Sequence, residues 1–244
     1  MATVVITGGS SGIGFEASLW LARQGHTVMV ISRNHAKLGQ LESEAEKQGV
    51  RAKLHLLPAD ISKLQEAESI GKEILSRAGR IDALINNAGR LINKPFEQLR
   101  LEDWEEVYAT NVFGAVSMIR VLLPGLTRSS DALMKGEVPG HIVNISSMGG
   151  VQGSAKFSGL SAYSSSKAAI IGLTECLAEE LKPMGVHVNA LALGSVQTEM
   201  FSVAFPGIEA ATTPERMGEY VAKFALEGMQ LFNGKTIPVS ASTP

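Results

Sequence analysis

One cysteine, Cys176, stands in 244 residues. No disulfide can form within the chain, which fits a reducing compartment, and the cytoplasm is the expected location. Net charge is equally scarce, because 22 Lys and Arg against 24 Asp and Glu leave a formal −2. The basic residues are scattered among acids and form no stripe, which removes the electrostatic case for a nucleic-acid partner. The longest apolar runs, such as VMVI and AAII, are strand- or helix-core sized, so no membrane span is expected. The opening MATVVITGGSSG lacks a basic segment followed by an apolar one and does not read as a signal peptide. No Pro/Gly/Ser linker, internal repeat or low-complexity tract divides the chain, and no metal site is expected. A content of 45% hydrophobic and 19% charged residues is that of a folded globular chain rather than a disordered one.

What the sequence does have is alternation. Strands are predicted at Thr3–Thr7, Thr27–Ile31, Ala52–Leu57, Ala83–Ile85, Ile142–Ile145 and Val186–Leu191, with a last one in GKTIPV. They are apolar at most positions, as a parallel sheet covered on both faces demands. Helices are predicted at Ile13–Gln24, Ala36–Gln48, 62–78, 101–127 and 161–182, the first two closed by Gly25 and Gly49. Arg128–Gly140 reads as a surface loop. The repetition predicts an α/β Rossmann-type fold: a doubly wound parallel sheet of about seven strands with helices on both faces. Residues 1–244 are expected to form one dinucleotide-binding catalytic domain.

TGGSSGIG, Thr7–Gly14, follows the first strand and opens the first helix. A loop there must turn tightly and present backbone N–H groups to an anion at a helix N-terminus, and Gly8, Gly12 and Gly14 meet those needs. The same letters also fit G-x-S-x-G, the nucleophile elbow of a serine hydrolase. That rival needs an acid and then a histidine beside Ser10, with His141 and His187 late enough in the chain to serve. In the dinucleotide reading, an acid about 20 residues past the glycines would hold the adenine ribose hydroxyls. Here Ser32, Arg33 and Asn34 stand in its place, and an arginine fork suits a phosphate. NADP(H) is therefore expected over NAD(H), with Arg33 on the 2′-phosphate.

SAYSSSKAA, Ser161–Ala169, puts Tyr163 and Lys167 four residues apart, on one helical face. Carbonyl reduction by a hydride carrier needs a positioned acid. A nearby ammonium would lower the phenol's pKa and fit it for proton transfer. Upstream, IVNISS (Ile142–Ser147) ends a strand in two hydroxyls at the edge where an α/β sheet binds ligands, and Ser147 could hold the substrate oxygen.

With these motifs in order, the sequence resembles the short-chain dehydrogenase/reductase family over almost its whole length. The resemblance is carried by TGGSSGIG at 7–14, Asp60-Ile61, NNAG at 86–89, Asn111 in ATNVFG, ISS at 145–147, YSSSK at 163–167 and Gly194–Thr198. It implies Tyr163 as the acid/base, Lys167 lowering its pKa and holding the nicotinamide ribose, Ser147 orienting the carbonyl, and Asn111 holding a relay water. For the cofactor it implies Gly8, Ser10, Ser11, Gly12, Ile13 and Gly14 as the loop and Asp60 and Ile61 at the adenine. Asn87, Ala88 and Gly89 would lie at the adenosine ribose, and Val196 and Thr198 at the carboxamide. Asn86 and Asn111 could equally be structural polar groups. It also implies a homodimer or homotetramer built on helices 101–127 and 161–182.

The chain departs from the family pattern in three places. Leu193 stands where a proline is common, which is expected to loosen the nicotinamide end. The loop between Ser147 and Tyr163 is long, and the tail after GKTIPV is short. A substrate lid is expected near 199–214, with Met200, Phe201, Val203 and Phe205 as apolar contacts and Phe96, Leu91 and Ile92 nearby. That suggests a hydrophobic ketone, an aldehyde or a 3-oxoacyl group as substrate. The competing expectation is an inactive dinucleotide-binding sensor or interaction protein.

Overall fold

The computed structural model describes residues 1–240. Its core is one seven-stranded, fully parallel sheet in the order β3-β2-β1-β4-β5-β6-β7. The strands are β1 (Thr3–Thr7), β2 (Thr27–Ser32), β3 (Leu54–Pro58), β4 (Ala83–Asn86), β5 (Gly140–Ser147), β6 (Val186–Leu193) and β7 (Thr236–Val239). The helices are α1 (Gly12–Arg23), α2 (His35–Lys47), α3 (Leu64–Ala78), α4 (Leu101–Tyr108), α5 (Gly114–Leu126), α6 (Ser130–Met134), α7 (Ser161–Glu180), α8 (Glu199–Ala204) and α9 (Pro214–Glu227).

Strand residues alternate between two apolar layers. Val4, Ile6, Val28, Val30, Ile85 and Val143 pack under α1, α2 and α9 with Leu19, Leu41 and Val221. Val5, Met29, Ile31, Leu84 and Ile142 face the other way, toward Ile70, Met118 and Leu122 of α3 and α5. Period-2 alternation with both faces apolar is what the near-continuous hydrophobic strands encode. Each fully buried Leu, Ile or Val contributes roughly 1.5–3 kcal/mol. The strand order reverses between β1 and β4, and the crevice outside their C-terminal ends is the place a doubly wound sheet offers a ligand.

Three sequence expectations are corrected. Arg128–Gly140 is not simply a surface loop: α6 lies within it, and Arg128 is buried. The Arg128 guanidinium donates to the carbonyls of Gly125, Leu126, Thr127 and Ile81, and to Asp82. It satisfies carbonyls at the end of α5 that the helix leaves unpaired. The predicted helix 101–127 is α4 and α5 joined by a π-helical turn, Ala109–Phe113. The 26-residue Leu101–Leu126 stretch is also apolar and long enough to cross a membrane by composition, contrary to the reading from short runs. Here Met118, Ile119, Leu122 and Leu126 bury its inner face in the core.

Leu193 is the last residue of β6. It is buried in β6, registered against Ser147 of β5 and Val239 of β7, and the next N–H, of Gly194, donates to Val239 O at 3.0 Å. Residues 241–244, the end of the short tail after GKTIPV, lie outside the described residues.

His141 is fully buried at the start of β5. Its Nδ1 faces Ala225 O at 3.0 Å and its Nε2 faces Asn189 Nδ2 at 3.0 Å. A carbonyl can only accept, so Nδ1 carries the proton and the ring is neutral. Burial lowers its pKa to about 4. An unfolded histidine protonates near 6.5, so between those values the unfolded state binds the extra proton and stability falls as pH falls. The loss reaches about 3 kcal/mol. Thermal melts from pH 7.5 to 4.5 are expected to show a shallower acid decline in His141→Gln than in the wild type. Parallel declines would refute the assignment.

Candidate active site

β1, β4, β5 and β6 end on one edge of the sheet, and each delivers part of the site. After β1 the chain turns at Gly8, with φ +65°, where an added Cβ would sit 2.7 Å from Ala88 Cα. Only glycine tolerates both the conformation and the approach. The Thr7 hydroxyl accepts from Asn87 N and Ala88 N, both at 3.1 Å, and Asn87 Nδ2 donates to Thr7 O and Gly8 O. Asn87 and Ala88 thus lock the β4 turn onto the glycine loop, and Gly89 follows beside Asn111 and Lys167.

Ser11 is the N-cap of α1 in extended backbone (φ −155°), yet its side chain caps nothing. Gly12, Ile13 and Gly14 then form the first turn, whose N–H groups lack intrahelical partners. This terminus suits an anionic group such as a diphosphate, so the residues present fit a dinucleotide. Ser10 is buried, its Oγ 2.6 Å from Ser32 Oγ. His141 and His187 bond backbone carbonyls of Ala225 and Met229 from the opposite ends of their strands. The serine-hydrolase arrangement is therefore not assembled.

At the far end of this groove, Arg33, Asn34, His35, Asp60 and Lys63 line a pocket of about 530 Å³. The half-exposed Arg33 guanidinium lies 3.6 Å from Asp60. Burial works to raise the Asp60 carboxyl, but hydrogen bonds from Ser62 N and Oγ, with Arg33, hold it below the usual range. Asp60 is thus anchored by its own turn, and buried Ile61 packs against Gly114.

The polar centre lies between β5 and α7. Ser147, the last residue of β5, accepts from Gly149 N at 3.2 Å and stands near enough to the Tyr163 phenol to favour its charged form. Lys167 is buried, its Nζ 5.7 Å from the Tyr163 ring centroid and donating to Ile145 O at 2.7 Å. The expected lowering of the phenol is not what the structure gives. Burial, the larger influence, pushes Tyr163 up, and Ser147 only partly opposes it. Burial likewise pulls Lys167 down to about 8. An ammonium that pays for its own desolvation is a weaker perturber than sequence spacing implies.

Asn111 sits in the π-helical turn and its carboxamide is fully engaged. Oδ1 accepts from Arg90 N at 2.7 Å, while Nδ2 donates to Arg90 O at 3.0 Å and to Ser166 Oγ at 2.9 Å. Ser166 in turn donates to Tyr163 O at 2.6 Å. The side chain is a clamp between the β4 turn and the Tyr163 turn. A π-turn at such a point is a common functional device, but nothing in the period of ATNVFG announces it. Asn86 does tie strands together, donating to Asn144 Oδ1 at 2.9 Å.

Beyond β6, buried Val196 pairs with Thr212, closing the excursion that holds α8. Thr198 caps α8, accepting from Phe201 N at 3.2 Å, and its Cγ2 lies 3.1 Å from where a Cβ on Gly12 would be. Phe205 of this segment contacts Phe201 and Phe157, with centroids 5.1 and 5.5 Å apart. Phe157 comes from the long loop after Ser147 and was not singled out from sequence. Asn93 Nδ2 donates to Ala204 O at 2.8 Å, joining the post-β4 segment to the same cap. Phe96 is instead largely exposed beside Trp104.

The short chain dehydrogenase family model matches residues 2–208. The 3-oxoacyl-[acyl-carrier-protein] reductase of Thermotoga maritima is 31% identical over 196 residues, 80% of this chain and 74% of that protein. Among solved structures, a 3-ketoacyl-(acyl-carrier-protein) reductase from Brucella melitensis complexed with NADH superimposes with a TM-score of 0.84. It is 24% identical, over 98% of this chain and 96% of that one. A short chain dehydrogenase from Burkholderia cenocepacia in complex with NADP gives the same TM-score, identity and coverage. With a family model covering most of its length and a relative at this identity, the chain belongs to the short-chain dehydrogenase/reductase family of oxidoreductases.

Proposed function

We propose that this protein is an NADP(H)-dependent reductase that converts a hydrophobic ketone or aldehyde, or a 3-oxoacyl group, to the alcohol. The observation that carries the reading is the convergence of Ser147, Tyr163 and Lys167 at the sheet edge that also bears the glycine loop. When bound, the nicotinamide supplies the hydride. Tyr163 gives its phenolic proton to the carbonyl oxygen while Ser147 holds that oxygen by its hydroxyl. Lys167 keeps a cation beside the phenol, and Asn111 holds the Tyr163 turn through Ser166. The Phe157, Phe201 and Phe205 rings supply an apolar wall, which favours substrates with a hydrocarbon body. The name of the Thermotoga maritima relative adds weight to the 3-oxoacyl choice. Exposed Leu101, at the start of α4, and Phe113, in the π-helical turn before α5, support assembly as a dimer or tetramer. Following NADPH absorbance with a panel of ketones, aldehydes and 3-oxoacyl thioesters tests the reading; binding of NADPH with no turnover on any of them would favour the sensor.

The cofactor preference rests on Arg33. It is half-exposed and only loosely paired with Asp60, so its donors are free to meet a 2′-phosphate. A charge-assisted hydrogen bond of this kind contributes about 1.5–3 kcal/mol, or roughly 10- to 100-fold. Arg33→Asp is expected to lower the NADPH:NADH ratio of kcat/KM by that factor. An unchanged ratio removes the assignment.

A further inference from the structure

We infer that Lys37 and Glu199 form a strap across the dinucleotide groove and slow the release of whichever dinucleotide lies beneath it. The inference rests on the reading of this groove as the cofactor site. Lys37 is in the first turn of α2, and its N–H is held by the Asn34 cap at 3.0 Å, so the side chain leaves the groove rim from a fixed base beside Arg33. Glu199 is the first residue of α8 and follows Thr198, which closes onto Gly12 of the glycine loop. One residue past that closure, the Glu199 carboxylate meets the Lys37 ammonium, joining segments 162 residues apart. Lys37 holds the Glu199 carboxyl below its ordinary range.

The far end of α8 is tied down as well, by Asn93 on Ala204 O. The short helix is therefore fastened at its start to the cofactor rim and at its end to the post-β4 segment. The Lys37 attachment follows the Arg33 and Asn34 lining of the pocket, and the Glu199 attachment follows the Thr198 contact with the glycine loop. Glu199 is 73% exposed, so the core does not depend on the pair. An exposed pair is weak enough to open each time a ligand enters or leaves, which suits a latch better than a structural brace. The pair also links the segment that carries α8 to the start of α2.

Stopped-flow fluorescence of bound NADPH and NADH tests the strap in Lys37→Met, Glu199→Gln, the double variant and the charge exchange Lys37→Glu/Glu199→Lys. At low salt each single substitution is expected to speed release of both dinucleotides about two- to fivefold. The double variant is expected to be no faster than either single, and the exchange to restore slow release. High salt should erase the differences. An effect confined to NADPH would place Lys37 on the 2′-phosphate and overturn the strap, as would additive single effects or unchanged release. Failure of the wild-type protein to bind either dinucleotide overturns the cofactor reading and the strap together. Binding with unaltered release overturns the strap alone.

Discussion

Tyr163→Phe is expected to lower kcat/KM for carbonyl reduction by about 10²- to 10⁴-fold, the usual worth of a positioned proton donor. NADPH affinity should stay within a few-fold. The substitution removes one oxygen and keeps the ring, so the packing of α7 against the polar centre survives. What is lost is the phenolic proton that the proposed mechanism delivers to the carbonyl oxygen. Burial raises the phenol above its ordinary value, so it is protonated throughout the neutral range, the form that reduction consumes. The reverse reaction needs the phenolate, and its rate should climb as pH rises. Steady-state kinetics in both directions, with fluorescence titration of NADPH, check this. A variant retaining a tenth or more of wild-type reduction would mean that another group supplies the proton.

Most of the architecture could be read from local pattern. Near-continuous apolar strands, helix-period stretches and closing glycines are short-range signals, and β1, β2, β4 and β6 appear within a residue or two of their predicted bounds. What escaped was long-range. Arg128 lies in RSSDALMKGEVPG, a stretch polar enough to pass for a loop, and its burial follows from carbonyls that converge only once α5 and β4 are assembled. The π-turn at Asn111 was hidden because one extra residue in a helical turn leaves composition unchanged. Nothing local marks Phe157 in its loop, and its contact with Phe205 exists only in the folded chain. The candidate site divides similarly. TGGSSGIG and YSSSK stand in the strand–loop–helix and helical settings their local pattern predicts. The direction of the Tyr163 shift was not legible, because it depends on how much water the fold removes.

That desolvation leads to the second large expectation: Lys167→Met should abolish turnover and yet make the free protein more stable. Lys167 is 4% exposed, and burial takes it from 10.5 to about 8. Between those values the unfolded chain holds a proton that the native chain has released, so native stability rises with pH across that window. Below about 8 the buried ammonium costs the fold up to roughly 3 kcal/mol. Methionine fills similar volume without the charge. It forfeits the Lys167 Nζ bond to Ile145 O, which gives back about 1 kcal/mol. The net gain at pH 7 is about 1–2 kcal/mol, or several degrees in Tm for a chain of this size. In the variant the alkaline rise should vanish as well, and that separates loss of a buried charge from a generic packing gain. Sites that keep a costly group for chemistry characteristically stabilise when it is removed. Melting curves of both proteins at pH 7 and pH 10 decide the matter: a variant that melts lower than wild type at pH 7 would show that Lys167 is a net structural contributor, its charge better solvated than its burial implies.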